Sequence, residues 1–239
     1  MLFPLKDYNP TRHTAYITIL LIAINVGVFF YQGYISREPL NFHIAESAMV
    51  PYEISHQENV DLRVGEDRLG RTLVYKRDIT PFLSILTSIF MHGSWMHLIG
   101  NMLFLWIFGN NIEDHLGKVK FIIFYLVVGV GASLIHVVFN FNSVVPVIGA
   151  SGAVSGVMGA YLILYPHAKV RTLVFIFIII TFMDIPAYLF LILWFVFQFF
   201  YAGSGSGIAW MAHVGGFIIG IILIKLMKNK RRPVIEIIE

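Results

Sequence analysis

Ser151 stands between two glycines in Gly149-Ala150-Ser151-Gly152, at the head of the run GASGAVSGVMG, residues 149–159. Glycine lets a backbone turn sharply and lets another group come close. A serine hydroxyl is a poor nucleophile until a base takes its proton. His213, in AHVGGFIIG (residues 212–220), is the histidine that a facing helix can bring to it. A third stretch, HGSWMHLIGN, holds His92, His97 and Asn101, and the last two are four apart and share a helix face. A tetrahedral oxyanion needs donors set around it in advance. His97, Asn101 and the Ser151 backbone N–H are the candidates, with the positive end of a helix starting at Ser151 favouring the same charge. The chemistry these types allow is acyl transfer by a Ser–His dyad. The chain has no cysteine, which removes thiol catalysis, disulfides and thiolate metal sites.

Each piece also has a plainer reading. Gly152, Gly156 and the Ser155/Gly159 pair have the small-xxx-small spacing that membrane helices use to pack, and Gly216 and Gly220 repeat it on the face of His213. Asn101 can serve as an interhelical hydrogen bond. A metal site built from His92, His97 and His213 lacks both the HExxH signature and any carboxylate or thiol partner, so no metal and no cofactor is expected.

What must position these residues is a set of membrane helices. The chain has 239 residues, 57% hydrophobic and 13% charged, with mean hydropathy +0.76; a soluble domain carries about 25% charged residues. A span needs about 20 apolar residues for a core of about 30 Å. Six candidates follow: 14–34, 94–112, 119–140, 151–166, 185–202 and 207–227. The apolar stretch 172–183 is cut off by Asp184 and Pro186 and reads as an interfacial segment or an early start to the fifth span. The expectation is an all-α membrane protein, one polytopic domain over 1–239. Its long outer loop, 35–93, holds a polar, solvated stretch at 55–78 and an amphipathic or re-entrant piece from Pro81 to Met91. A basic cytoplasmic tail, 228–239, follows the last span.

Short cytoplasmic loops are enriched in Lys and Arg. Lys6 and Arg12 precede span one, Lys118 and Lys120 lie between spans two and three, and Lys169 and Arg171 follow span four. Both termini therefore belong inside. The net charge of +3 is small, and its basic part flanks a hydrophobic segment, so the partner is the lipid bilayer and not nucleic acid. Span four is short, about 15 residues or roughly 22 Å, which sets Ser151 below the outer surface. His213 lies about 9 Å down span six. The small faces of spans four and six make them neighbours, and Ser151, His213 and His97 converge on one leaflet.

These motifs resemble the rhomboid family of intramembrane serine proteases. The resemblance runs from about Pro81 to Gly220. It rests on GASG at 149–152, HxxxN from His97 to Asn101 with His92 before it, AHxxGGxxxG from Ala212 to Gly220, and Gly109 with Glu113 after span two. It implies a six-helix bundle with a water-filled cavity open to the outer side. It also implies a catalytic Ser151–His213 dyad, with His97, Asn101 and the Ser151 N–H at the oxyanion. Supporting positions are His92, Gly149, Gly152, Gly216 and Gly220. Substrates are expected to be single-span membrane proteins cut near helix-breaking residues. Span five and the turn 203–207 correspond to the family's gate and cap. One position departs: several rhomboids carry an aromatic residue one turn after the serine, stacked on the histidine, and here it is Ser155. No intramembrane Asp or Glu offers a third member, so the histidine is expected to be held by packing.

The alternatives are a catalytically silent rhomboid-like binding protein and, from another class, a small transporter. A transporter places its site at the midplane between repeats, and no repeat is visible. A plasma or inner membrane location is expected; the sequence leaves oligomeric state open.

Overall fold

A computed structural model describes residues 2–36, 39–67, 69–176, 179–202 and 208–227. The chain begins with strand β1 (Leu2–Asp7) and helix α1 (Tyr16–Phe30), which widens into a π turn over Tyr31–Ile35. Helices α2 (Leu40–Ser47) and α3 (Pro51–His56), strands β2 (Leu62–Glu66) and β3 (Thr72–Tyr75) and helix α4 (Pro81–Ser88) follow. Then come α5 (Trp95–Leu116), α6 (Lys118–Phe139) and α7 (Ser151–Leu164). Strands β4 (Lys169–Ile176) and β5 (Ile179–Pro186) precede α8 (Ala187–Gln198) and α9 (Trp210–Met227).

The protein is mostly helical. Among the described residues, three segments are long and apolar enough to cross a membrane: Tyr16–Ile35, Lys118–Phe139 and Trp210–Met227. Shorter apolar helices cover Ser151–Leu164 and Ala187–Tyr201. The six sequence segments read as spans correspond to α1, α5, α6, α7, α8 and α9.

α7 is the axis of the bundle, in contact with α5, α6, α8 and α9, and its residues from Gly152 to Tyr161 are all buried. Its composition explains this. A Cβ added at Gly156 would lie 2.1 Å from Val128 Cγ1, and one at Gly216 would lie 2.1 Å from the Gly152 carbonyl oxygen. A Cβ at Gly220 would lie 2.0 Å from the Gly156 carbonyl. The expected contact of small faces between the fourth and sixth segments is therefore present as α7 on α9.

α1 has no cap of its own, and its N-terminus is closed from α5. Glu113 accepts hydrogen bonds from the Ile17 N–H at 2.9 Å, the Thr18 N–H at 2.7 Å and the Thr18 hydroxyl at 2.9 Å. A buried carboxylate is stable there because it answers orphan donors at a positive helix end. Gly109, one turn earlier, lets Thr18 approach: a Cβ there would lie 3.2 Å from Thr18 Cγ2.

Three expectations are corrected. The class is not all-α, because two small sheets are present. Of the stretch 172–183, residues 172–176 lie in β4 and 179–183 in β5, so it is not an early start to α8. β4 alternates: Val170, Thr172 and Val174 are buried while Arg171, Leu173 and Phe175 are not, and that period of two is the strand signal which apolarity alone hides. β4 also pairs antiparallel with β1, giving the order β1-β4-β5. Finally, 55–78 is not simply a solvated stretch. It carries the β2–β3 hairpin, whose Leu62 and Val64 pack on Ala45 and Val50. Arg77, fully buried, pairs with Glu53 at 2.8 Å and donates to the carbonyls of Ala45 and Ala48.

α4 fills the amphipathic piece expected from Pro81 onward, with Ser84, Ile85 and Ser88 inward and Phe82, Leu83 and Leu86 outward. The turn at 203–207 and the basic tail 228–239 lie outside the described residues.

Candidate active site

Ser151 opens α7. The preceding Gly149 has φ +124°, a backbone state that side chains disfavour, and its N–H donates to the Ser88 carbonyl at 2.9 Å. Its missing side chain matters as much as its φ. A Cβ there would sit 2.6 Å from His97 Nε2 and 3.7 Å from Ser151 Oγ. Gly149 thus lets the His97 ring and the serine hydroxyl share one corner.

His213 lies in the first turn of α9, which begins at Trp210 and not at 207. Its depth below the helix start is therefore less than the expected 9 Å. The α7–α9 contact carries it to the serine, with Nε2 2.8 Å from Ser151 Oγ. For Nε2 to accept the serine proton, the neutral ring must carry its hydrogen on Nδ1. Nδ1 lies 2.7 Å from Gln198 Oε1, on α8. The expectation that packing alone holds this histidine is corrected: a hydrogen bond holds it too. Trp194 adds a wall, its ring centroid 6.0 Å from that of His213. Ser155 supplies no contact of that kind; its hydroxyl donates back to the Ser151 carbonyl at 2.6 Å.

α5 supplies the third side. Its N-cap Ser94 accepts the His97 N–H at 3.2 Å, which starts the helix where His97 and Asn101 face the same cavity. The Asn101 amide donates to His92 Nε2 at 3.0 Å, and the His92 and His97 rings meet edge to face at 5.0 Å. His92 is fully buried and reaches the site through Asn101. Gly152, Gly216 and Gly220 act one step back, by allowing the helix contact.

A cavity of about 890 Å³ opens over these residues, with His97, Asn101, Ser151 and His213 in its wall beside Met158 and Trp194. A second void of about 20 Å³, room for one water, lies behind Ser151 and is lined by Ser88, Ser133 and Gly149. The arrangement can deprotonate Ser151 and present N–H donors to an oxygen beside it. Three residues near the dyad were not singled out from sequence: Gln198, Trp194 and His136, the last in the cavity wall from α6. The signal for Gln198 and His136 was present, since each is a lone polar residue in an apolar run (FVFQFF and LIHVVF).

Residues 80–230, more than half of the chain, match the family model described as Rhomboid domain. Among curated proteins, the chain is 32% identical over 164 residues to Rhomboid protein 1, mitochondrial, of Saccharomyces cerevisiae; this covers 63% of the chain and 43% of that protein. It is 28% identical over 167 residues to RHOMBOID-like protein 6, mitochondrial, of Arabidopsis thaliana, covering 66% and 54%. It is 40% identical over 78 residues to Rhomboid protease GluP of Bacillus subtilis, covering 33% and 15%. The chain thus spans about half the length, or less, of these relatives.

Proposed function

Because the chain belongs to the rhomboid family of membrane proteins, we propose that it is an intramembrane serine endopeptidase with Ser151 as nucleophile and His213 as base. The observation that carries the reading is the 2.8 Å contact between Ser151 Oγ and His213 Nε2 at the head of a helix, in the wall of a large cavity.

The steps follow from that geometry. His213 Nε2 takes the proton of Ser151 as Oγ bonds to the scissile carbonyl carbon, and the carbonyl π pair moves to oxygen. The Ser151 N–H and the His97 and Asn101 side chains hold that oxyanion. On collapse the C–N bond breaks, and the leaving amine takes the proton from Nε2. A water, deprotonated by His213 in turn, releases the acyl chain. No metal or cofactor enters these steps.

The substrates are single-span membrane proteins, cut where a helix-breaking segment lets the peptide bond enter the cavity. The six helices α1, α5, α6, α7, α8 and α9 cross the bilayer with both termini cytoplasmic, and the cavity opens outward. α8 stands where the family's gate lies. A plasma or inner membrane is the proposed location, tested by fractionation against marker proteins, since the relatives include mitochondrial ones.

The test uses wild type and Ser151→Ala, purified in detergent and mixed with a tagged single-span substrate. Fragments from wild type alone, located by mass spectrometry, support the reading. Equal cleavage by both removes Ser151 from its role. Substrate retained without cleavage by either marks a silent binding relative.

A further inference from the structure

We propose that Gln198 is the positioning residue of the dyad, fixing the tautomer and tilt of His213 from α8. The proposal rests on the reading of Ser151 and His213 given above. A serine–histidine pair works only if the imidazole offers a bare Nε2 to the hydroxyl, which requires a hydrogen on Nδ1. In a buried place that hydrogen needs an acceptor, because an unmet donor costs most of its desolvation. Gln198 Oε1, 2.7 Å from Nδ1, is that acceptor.

The amide of a glutamine can point either way, and here its other end settles the direction. Gln198 Nε2 donates to the Trp194 carbonyl at 2.9 Å, one turn back on α8. A carbonyl cannot receive Oε1, so the oxygen must face His213. Gln198 is 3% exposed, which leaves no water to take its place. Among the described residues no other side chain is bonded to Nδ1. The Ser155 hydroxyl donates to the Ser151 carbonyl instead, and Trp194 meets the ring at 6.0 Å with a tilt of 37°, a wall and not an acceptor.

The bond has a mechanistic consequence. When His213 takes the serine proton it becomes a cation with both nitrogens protonated, and the Gln198 oxygen is the dipole already aimed at Nδ1–H. A neutral amide does this less strongly than the buried aspartate of a Ser-His-Asp triad, whose loss of the right tautomer costs about 10⁴ in kcat. Losing the amide oxygen is expected to cost about tenfold or more in kcat, the worth of one hydrogen bond. Because α8 carries the glutamine, the dyad is in order only while α8 is docked against α9.

The test compares full-length wild type, Gln198→Leu and Gln198→Glu in detergent and in bilayer vesicles, with a fluorogenic single-span substrate. Leucine fills the space without an acceptor, and glutamate, with its second oxygen protonated and donating to the Trp194 carbonyl in place of Nε2, keeps an oxygen towards Nδ1. The expected result is kcat down about tenfold or more for leucine, KM and thermal midpoint near wild type, and glutamate within a few-fold of wild type in kcat. Leucine at wild-type kcat overturns the proposal, as does equal loss in both variants, which marks a merely structural glutamine. A second readout does not depend on the Gln198 variants folding. In ¹⁵N-histidine-labelled wild type, the His213 resonances, assigned by their loss in His213→Ala, should report hydrogen on Nδ1; hydrogen on Nε2 overturns the proposal. Should wild type and Ser151→Ala cleave alike, the reading of the dyad fails by itself, and the tautomer remains a separate result.

Discussion

At the scale of single residues, Gly149 is the glycine that bears directly on both the His97 ring and the Ser151 hydroxyl. Two demands meet there: φ +124° and an imidazole nitrogen where a Cβ would go. Gly149→Ala is expected to cost about 1–3 kcal/mol in stability through the backbone. It is also expected to lower kcat/KM about 100-fold by displacing His97 or Ser151. Parallel thermal melts and cleavage rates check both, and near-normal cleavage would show that the corner is looser than its geometry. At the far end of α7, Asp7 makes a second residue-scale case. Burial pushes its carboxyl above 3.8, although the Tyr161 hydroxyl and the Asn111 amide donate to it at 2.6 and 2.8 Å. A carboxyl with a raised folded pKa contributes its stability fully below the unfolded value and loses it as pH rises through the folded value. The wild type should therefore lose stability upward from about pH 4 relative to Asp7→Asn, which keeps one oxygen to accept both bonds. Thermal midpoints of the two proteins that run parallel from pH 4 to 7 would remove Asp7 from that role.

At the scale of elements, the contact of α7 with α9 decides whether the dyad exists. A Cβ at Gly220 meets the Gly156 carbonyl at 2.0 Å and the Gly156 Cα at 2.5 Å, both backbone atoms that cannot swing aside. Gly220→Ala should therefore push the helices apart, costing about 1–3 kcal/mol or more and separating Nε2 from Oγ. Gly27, in α1, has nothing within 4 Å of its added Cβ, and alanine there should stabilise by about 0.5–1 kcal/mol. Melting both variants against wild type checks the contrast; equal effects would mean that the α7–α9 contact is not the controlling one. This contact was legible in the sequence because its spacing is local: Gly152 with Gly156 and Gly216 with Gly220 each mark one face. Gln198 and His136 were not singled out, because each is alone in its run and gains meaning only from a ring on another helix. The β1–β4 pairing was illegible for a related reason. It joins Leu2–Asp7 to residues beyond 169, and neither strand is long enough to declare its partner. In 172–183 the alternation was present but masked by apolar residues on both faces.

At the scale of the whole molecule, the two ends of the bundle are built differently. At the Ser151 end, the segment before α5 lies over the α6–α7 connection. Met49 and Val147 form a two-way backbone bridge, the Tyr52 N–H donates to the Ser143 carbonyl at 2.9 Å, and Gly149 is tied to Ser88. At the other end are Glu113 capping α1, the β1-β4-β5 sheet and the Asp7 cluster. α7, with 14 residues, is about 21 Å long, shorter than a bilayer core of about 30 Å. A bundle with so short an axis cannot be apolar to both surfaces at its centre, and the cavity over Ser151 takes up the difference on one side. On the orientation proposed from the Lys and Arg of the loops, the Ser151 end faces outside. The chain contains no cysteine, so single-cysteine labelling has no background. Glu58 is exposed at the Ser151 end and Lys118 at the other. A membrane-impermeant maleimide should label Glu58→Cys in intact cells and Lys118→Cys only after permeabilisation. The reverse pattern would turn the protein over, placing the dyad on the inner side and requiring substrates that break their helices there.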